Sequence, residues 1–188
     1  LFIALQYSRT LYAVEQARDF HERSAAITFK GRTISEGQKP ELTKEYVVGV
    51  ALSRFLRFAP YTKDLKFCIL RNRTCDAFIT SDCPVVFTNR YHIQQLNRNV
   101  FGAASSGALL VMPVDPAFTV CLYDKGVYSV ESNGGIVDVV RKGDVLALNE
   151  LQYLNAHENI YFYNFDDGDR IASEFECVSD IRLAESFR

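Results

Sequence analysis

Hydrophobic residues recur at helical spacing in the first third of the chain. Over residues 1–23, the apolar side chains fall on one face of a helical wheel and the acidic side chains on another. The same spacing returns over residues 41–58. Pro40 lies just before this second segment and Pro60 just after it, where proline suits the start and the stop of a helix. The first third is therefore predicted to form two helices.

Two further helices are predicted near the other end of the chain. Residues 145–158 are apolar almost all around the wheel, which is typical of a largely buried helix, and Asp144 is its predicted N-cap. Residues 171–187 have an amphipathic pattern that predicts a final helix.

The middle of the chain changes to short runs of β-branched and aromatic residues, which favour strands. The predicted strands cover residues 65–70, two runs within 77–87, 108–114, 118–123, 127–130, 136–139 and 160–165. Asn133-Gly134 separates two of these runs, and Asn-Gly between strands is a strong hairpin signal. The pattern predicts an α+β fold, with a mostly antiparallel sheet of about five to seven strands packed by the N- and C-terminal helices.

The stretch 77–87 places polar residues between two apolar runs. Phe78-Ile79-Thr80 and Val85-Val86-Phe87 are strand-like, and Ser81 and Asp82 lie between them. Both side chains can bond nearby backbone, and Pro84 restricts the residue before it to an extended conformation. Such a rigidly held polar pair is typical of a functional site and equally typical of a turn.

Composition limits the function classes. The chain has 188 residues, of which 48% are hydrophobic and 23% charged, and this length suits one domain over residues 1–188. The net charge of −2 gives no support to generic binding of nucleic acid or anionic membranes. No apolar run approaches the roughly 18 residues of a membrane span. The chain does not begin with Met, so we expect an upstream segment to be missing.

The cysteines and histidines indicate a reducing, cytoplasmic setting without a metal site. The five cysteines are an odd number at irregular spacings, which favours structural thiols over disulfides. The three histidines are far apart, and no pair of cysteines has zinc-site spacing. Neither a metal nor a cofactor is predicted.

Three polar residues occupy unexpected positions on the predicted helices. Gln6 falls within the apolar arc of the first helix and Arg9 at its edge, while Asn149 lies among apolar neighbours on the third. A buried amide must find hydrogen-bond partners, because an unpaired one costs about 1–3 kcal/mol. These side chains either form hydrogen bonds with the neighbouring backbone or face a polar pocket.

Four motifs together resemble a widespread, mostly bacterial family of unknown function, the DUF4238-type proteins. The motifs are Phe2-Ile3-Ala4-Leu5-Gln6 with Arg9-Thr10, the stretch 78–86, Met112 to Pro116 leading into 118–123, and Asn149 with Leu151-Gln152 and Ala156. The resemblance implies that the marked residues are Gln6, Arg9, Ser81, Asp82, Pro84, Pro113, Pro116 and Asn149. It implies no activity.

The chain departs from the family pattern in places. Leu11 stands where most members have proline, and Asp115 stands where many have serine. An upstream family segment with a His, a Pro and a Tyr-Leu pair is also absent from the sequence. We therefore expect any site that borrows this segment to be incomplete here.

The leading functional hypothesis is a domain that binds a small polar or anionic ligand, and the sequence leaves open whether it is an enzyme. Arg9 would hold an anion and Asp82 would act as acid or base, so these two are the candidate catalytic residues. Gln6, Ser81 and Asn149 would bind and orient the ligand. The structural alternatives are a turn role for Asp82 and a buried salt bridge between Arg9 and Asp82.

Two other function classes remain. A non-catalytic interaction module would bind a protein partner through the long connection at 89–107. A nucleic-acid-binding or nuclease-like domain would need a continuous basic face, which a cluster of nearby cations could supply. These cations are Arg54, Arg57, Lys63, Lys66, Arg71 and Arg73. The weak net charge makes solvated surface the better interpretation of this cluster, so nucleic acid is not an expected partner.

Overall fold

The computed structural model describes residues 1–28, 30, 43–91, 102, 104–164 and 168–175. Contacts divide the chain into two compact units, Leu1–Pro60 and Tyr61–Arg188. The expectation of one domain over residues 1–188 is not tested by this division and stays a prediction.

The described residues of the first unit form three helices. They are α1 (Phe2–Ser8), α2 (Leu11–Thr28) and α3 (Lys44–Phe58). The prediction of one continuous helix over residues 1–23 is wrong, because the chain breaks at Arg9 and Thr10. Arg9 leaves helical geometry at ψ 4°, and the Thr10 Oγ1 accepts the Ala13 N–H at 3.1 Å. This bond satisfies an N–H that the first turn of α2 would otherwise leave unpaired.

Small side chains hold α2 against α3. Ala13 and Ala17 of α2 are buried with Val47 and Ala51 of α3, and such short side chains let two helices approach closely. The Thr43 Oγ1 caps α3 by accepting the Tyr46 N–H at 3.3 Å. The second predicted helix is thus confirmed from residue 44 onward, and residues 41 and 42 lie outside the described part.

In the second unit, the described part of the chain forms seven strands and a long helix. A 3₁₀ turn over Ala59–Thr62 leads into it. The strands are β1 (Lys66–Asn72), β2 (Thr80–Ser81), β3 (Val86–Thr88), β4 (Leu109–Asp115), β5 (Phe118–Tyr123), β6 (Ile136–Val139) and β7 (Ile160–Tyr161). The long helix is α4 (Lys142–Asn155), and residues 168–175 are also helical.

The α+β class is confirmed, and the sheet differs from its prediction. Five strands form one sheet in the order β3-β4-β5-β1-β6, while β2 and β7 form a separate pair. The main sheet is mixed, because β6 runs parallel to β1 whereas the other pairs are antiparallel. Five strands therefore share the main sheet, and the remaining two lie outside it.

The mixed sheet arises because the predicted Asn-Gly hairpin does not form. The turn itself is present, with Gly134 and Gly135 at positive φ of 59° and 82°. Residues 127–130, however, are not a strand. Tyr128 and Val130 instead pack against the core of the sheet, so β6 is free to pair with β1 after a crossover.

α4 covers part of the sheet through its apolar face. Val145 packs with Phe78 and Val139. The helix begins earlier than predicted, with Arg141 as N-cap, so Asp144 lies in the first turn and is not the cap. The last predicted strand is shorter than expected, since β7 ends at residue 161. Residues 176–187 of the predicted final helix lie outside the described residues.

Candidate functional site

Three amide side chains lie along one face of α4 and bind the backbone of residues 77–85. Asn149 is the first of them and is 5% exposed. Its Oδ1 accepts the Ile79 N–H at 3.0 Å, and its Nδ2 donates to the Ala77 carbonyl at 3.0 Å. The carboxamide thus pairs with this segment as a neighbouring strand would.

Gln152 and Asn155 continue this face of α4, since residues three apart lie above one another on a helix. The Gln152 Oε1 accepts the Ser81 hydroxyl at 3.2 Å, and its Nε2 donates to the Pro84 carbonyl at 2.8 Å. Asn155 donates to the Cys83 carbonyl at 2.7 Å. Burying these amides is tolerated because each finds a backbone or hydroxyl partner.

The Asp82 carboxylate closes the turn between α4 and β7. It accepts backbone N–H groups from three successive residues, His157 at 2.9 Å, Glu158 at 2.8 Å and Asn159 at 3.1 Å. Burial raises the pKa of Asp82, but these donors outweigh it and hold the pKa below its usual value. This geometry supports the turn alternative for Asp82, and its catalytic role stays a prediction.

The predicted site residues fall into two groups, one in each unit. In the first unit, the Arg9 Nε donates to the Gln6 Oε1 at 2.6 Å, and Arg9 is exposed. In the second unit, Ser81, Asp82 and Asn149 lie together around α4 and β2. A common site for both groups stays a prediction.

A pocket of about 220 Å³ lies beside this polar network, within the second unit. Its walls come from two segments, the β4–β5 turn and the β2–β7 pair. The lining residues are Phe78, Thr80, Pro113, Val114, Asp115, Pro116, Tyr161, Phe162 and Tyr163. Two of them, Pro113 and Pro116, are residues that the family resemblance marks.

A hydrogen bond joins the two walls of the pocket, since the Phe78 N–H donates to the Pro116 carbonyl at 2.9 Å. Within the second wall, Thr80 pairs with Tyr161 in the antiparallel β2–β7 ladder. A register shift lies between Pro113 and Asp115. Because an irregular strand bends away from its neighbour, this shift gives the pocket room at the strand end.

The aromatic wall was not predicted from the sequence. Tyr161-Phe162-Tyr163 is a run of three successive rings. Successive side chains of an extended segment point to opposite faces, so such a run cannot bury all its rings on one face. That argument would have indicated exposed aromatic side chains here. Tyr163 is indeed 74% exposed.

A buried hydroxyl in the pocket wall has no hydrogen-bond partner in the part of the chain that the structure describes. The Thr80 Oγ1 is buried and forms no hydrogen bond with any described residue. Most buried polar side-chain atoms in native proteins have a partner. The orphaned hydroxyl is therefore a further unusual feature of this wall.

The described residues offer little support for a metal or nucleic-acid site. No group of three or more His, Cys, Asp or Glu side chains among them could hold a metal ion. Arg71 and Arg73, two members of the predicted basic cluster, both contact Asp138, at 2.6 Å and 3.0 Å. Their charge is thus partly neutralised by the neighbouring strand.

A comparison with protein families decides the affiliation of the chain. The model described as "Protein of unknown function (DUF4238)" matches residues 1–166. The chain belongs to this family. The DUF4238 match includes α1, the 77–85 segment, α4 and β7. It therefore covers the predicted site residues of both units. No curated protein and no solved structure matches the chain.

The described part of this DUF4238 protein contains no helix that is both long and apolar enough to cross a membrane. Its four described cysteines, Cys68, Cys75, Cys83 and Cys121, are thiols that take part in no disulfide. Cys177 lies outside the described residues.

Proposed function

We propose that the second unit binds a small molecule in the pocket between the β4–β5 turn and the β2–β7 pair. The observation that carries this proposal is the concave, mostly apolar lining with few polar groups, since ligand sites commonly combine these features. The volume of about 220 Å³ is below the roughly 300–1,000 Å³ of pockets for drug-sized ligands, which favours a small ligand or head group.

The rigidity of the wall supports the proposal. Phe78 and Ile79 are 3% and 2% exposed, and Asn149 holds the backbone on both sides of Phe78. Asp82 fixes the turn that leads into β7. A wall that is already ordered reduces the entropy that binding must overcome. The polar network would thus support binding by ordering the pocket wall, without contacting the ligand itself.

A site built from the sequence-predicted residues remains a second proposal. Gln6, Arg9, Ser81, Asp82 and Asn149 would then converge on a polar or anionic ligand, with Arg9 and Asp82 as catalytic groups. The exposed guanidinium of Arg9 supports an anion contact. We also propose that the protein is cytoplasmic, because its four described cysteines take part in no disulfide.

A pair of tryptophan variants tests the pocket. Val114 lines it and is 54% exposed, so Val114→Trp fills the pocket without disturbing the core. Val140→Trp is the matched control, because Val140 is 69% exposed and does not line the pocket. A panel of neutral, cationic and anionic small compounds is screened by ligand-observed NMR. Binding that Val114→Trp abolishes and Val140→Trp preserves supports the proposal, whereas equal binding to both variants contradicts it.

A further inference from the structure

The described lining of the pocket carries a negative charge. Asp115 is charged, and none of the other described residues that line the pocket is a lysine, an arginine or a histidine. The Asp115 Oδ1 accepts the Ala117 N–H at 2.8 Å, and no described cation pairs with this carboxylate. An anion in this pocket would meet a carboxylate and no compensating charge, which disfavours it.

Aromatic rings form much of the remaining wall. Tyr161, Phe162 and Tyr163 contribute three exposed rings to the lining, beside the almost fully buried Phe78. Tyr161 and Tyr163 are 53% and 74% exposed, so their rings are accessible to a ligand. The face of an aromatic ring carries negative electrostatic potential and attracts a cation, with about 0.5–2 kcal/mol per contact.

One ring of the wall packs against a glycine. A Cβ built on Gly168 would lie 2.9 Å from the Phe162 Cζ, so the ring packs directly on the glycine backbone. Its position in the lining therefore depends on the absence of a side chain at residue 168. This contact is evidence that the aromatic wall has a defined shape.

We propose that the pocket takes a small organic cation, specifically an alkylated ammonium group such as trimethylammonium. The carboxylate of Asp115 supplies the counter-charge, the aromatic rings supply cation–π contacts, and the prolines with Val114 contact the alkyl groups. A neutral apolar ligand would use the same walls without using the charge. The inference rests on the proposed function, since it names the ligand class of the same pocket.

A matched series of three compounds separates charge from shape. Choline carries a trimethylammonium group, 3,3-dimethyl-1-butanol is its neutral isostere, and 3,3-dimethylbutyrate is an anion of similar size. Calorimetric or NMR titration of the full chain should show choline binding at least about fivefold more tightly than the alcohol. The anion should bind most weakly.

Two variant pairs assign the effect to the pocket. Asp115→Asn keeps a carbonyl oxygen for the Ala117 N–H and removes the charge, and Asp64→Asn, at an exposed carboxylate outside the lining, is its control. Tyr163→Leu removes a ring, whereas Tyr163→Phe keeps one. Asp115→Asn and Tyr163→Leu should weaken choline roughly fivefold or more and leave the alcohol unchanged. The two controls should preserve choline binding.

The possible outcomes separate two questions: whether the pocket binds a ligand, and whether that ligand is a cation. If the alcohol binds as tightly as choline and Val114→Trp abolishes both, the pocket is a ligand site but the cation assignment is overturned. If choline binding survives Val114→Trp and Tyr163→Leu unchanged, the cation site is elsewhere and this inference fails. If no compound of the series or of the wider panel binds at roughly millimolar concentration, the proposed function fails and the inference with it.

Discussion

Asp82 and Asn159 are joined by hydrogen bonds in both directions. The Asp82 N–H donates to the Asn159 carbonyl at 3.1 Å, and the Asp82 carboxylate accepts the Asn159 N–H at 3.1 Å. Ser81 and Ile160, the residues next to them, pair in the β2–β7 ladder. The side chain of Asp82 thus extends a backbone ladder, and this arrangement ties one pocket wall to the end of α4.

Replacing Asp82 tests this structural role. Asp82→Asn replaces one acceptor oxygen by an amide donor, so at least one backbone N–H loses its partner. We expect the free energy of unfolding to fall by about 1 kcal/mol at neutral pH, since the site is partly exposed. Chemical denaturation measures this change, and Asp64→Asn is the exposed control. An unchanged stability combined with a loss of ligand binding would instead support the catalytic prediction.

The same variant has a characteristic pH dependence. The pKa of Asp82 is lower in the folded protein than in the unfolded chain. Its contribution to stability is therefore complete above the unfolded value of about 3.9 and is lost as the pH falls through the folded pKa. Denaturation curves should show the gap between wild type and Asp82→Asn narrowing below about pH 4. A gap that widens in acid would contradict the assignment.

Removing the Asn149 carboxamide should be more damaging. Asn149→Ala leaves the Ile79 N–H and the Ala77 carbonyl without their partner, in a site where Asn149 is 5% exposed. We expect a loss of about 2–4 kcal/mol, because each orphaned buried group costs about 1–3 kcal/mol. The control is Glu150→Ala, on the next position of α4. Thermal or denaturant unfolding that shows equal stability for the two variants would contradict this role.

Asp138 should titrate at unusually low pH. The Arg71 guanidinium lowers the pKa of Asp138 to about 2, with a further contribution from Arg73. Arg71→Leu should therefore raise this pKa markedly, and Arg73→Leu should raise it less. Carboxyl NMR titration measures both shifts. Because the folded pKa is depressed, this pair stabilises the fold above about pH 4 and loses that effect in acid. Equal shifts in the two variants would contradict the order of the contributions.

Thr119 offers a substitution that should stabilise the protein. Thr119 is 0% exposed, and its hydroxyl has no hydrogen-bond partner among the described residues. Thr119→Val keeps the shape and removes the unsatisfied group, so we expect a gain of about 1 kcal/mol in the free energy of unfolding. Thr119→Ser, which keeps the hydroxyl and loses the methyl group, should be destabilising. A loss of stability in the valine variant would show that the hydroxyl has a partner.

Local sequence patterns predicted most of the helices and strands. The pairing of strands that are far apart in the sequence was harder to predict. The predicted first helix breaks at Thr10, because the Thr10 side chain accepts a backbone N–H from the first turn of α2. A helical wheel considers only hydrophobic spacing, so it does not show this hydrogen bond. The turn at Asn133-Gly134 was recognisable, but the parallel pairing of β6 with β1 that follows it was not, because these strands are far apart in the sequence.

The candidate site, too, was predictable in its local residues and not in their long-range contacts. The sequence identified Ser81, Asp82 and Asn149 as unusual polar residues but left their partners open. Those partners lie far away in the chain, since Asn149 and Ile79, for example, are seventy positions apart. The pocket escaped prediction because the β4–β5 turn and the aromatic run after β7 become neighbours only when the strands pair.

Backbone amide NMR shows where on the protein the ligand binds. The full chain is titrated with the compound from the panel that binds best, and amide shifts are followed to saturation. Binding in the proposed pocket predicts that the largest shifts fall on residues 78, 80, 114–115 and 161–163, which line it. Shifts centred on Gln6 and Arg9, with the pocket amides unchanged, would contradict it and would favour the site of the second proposal.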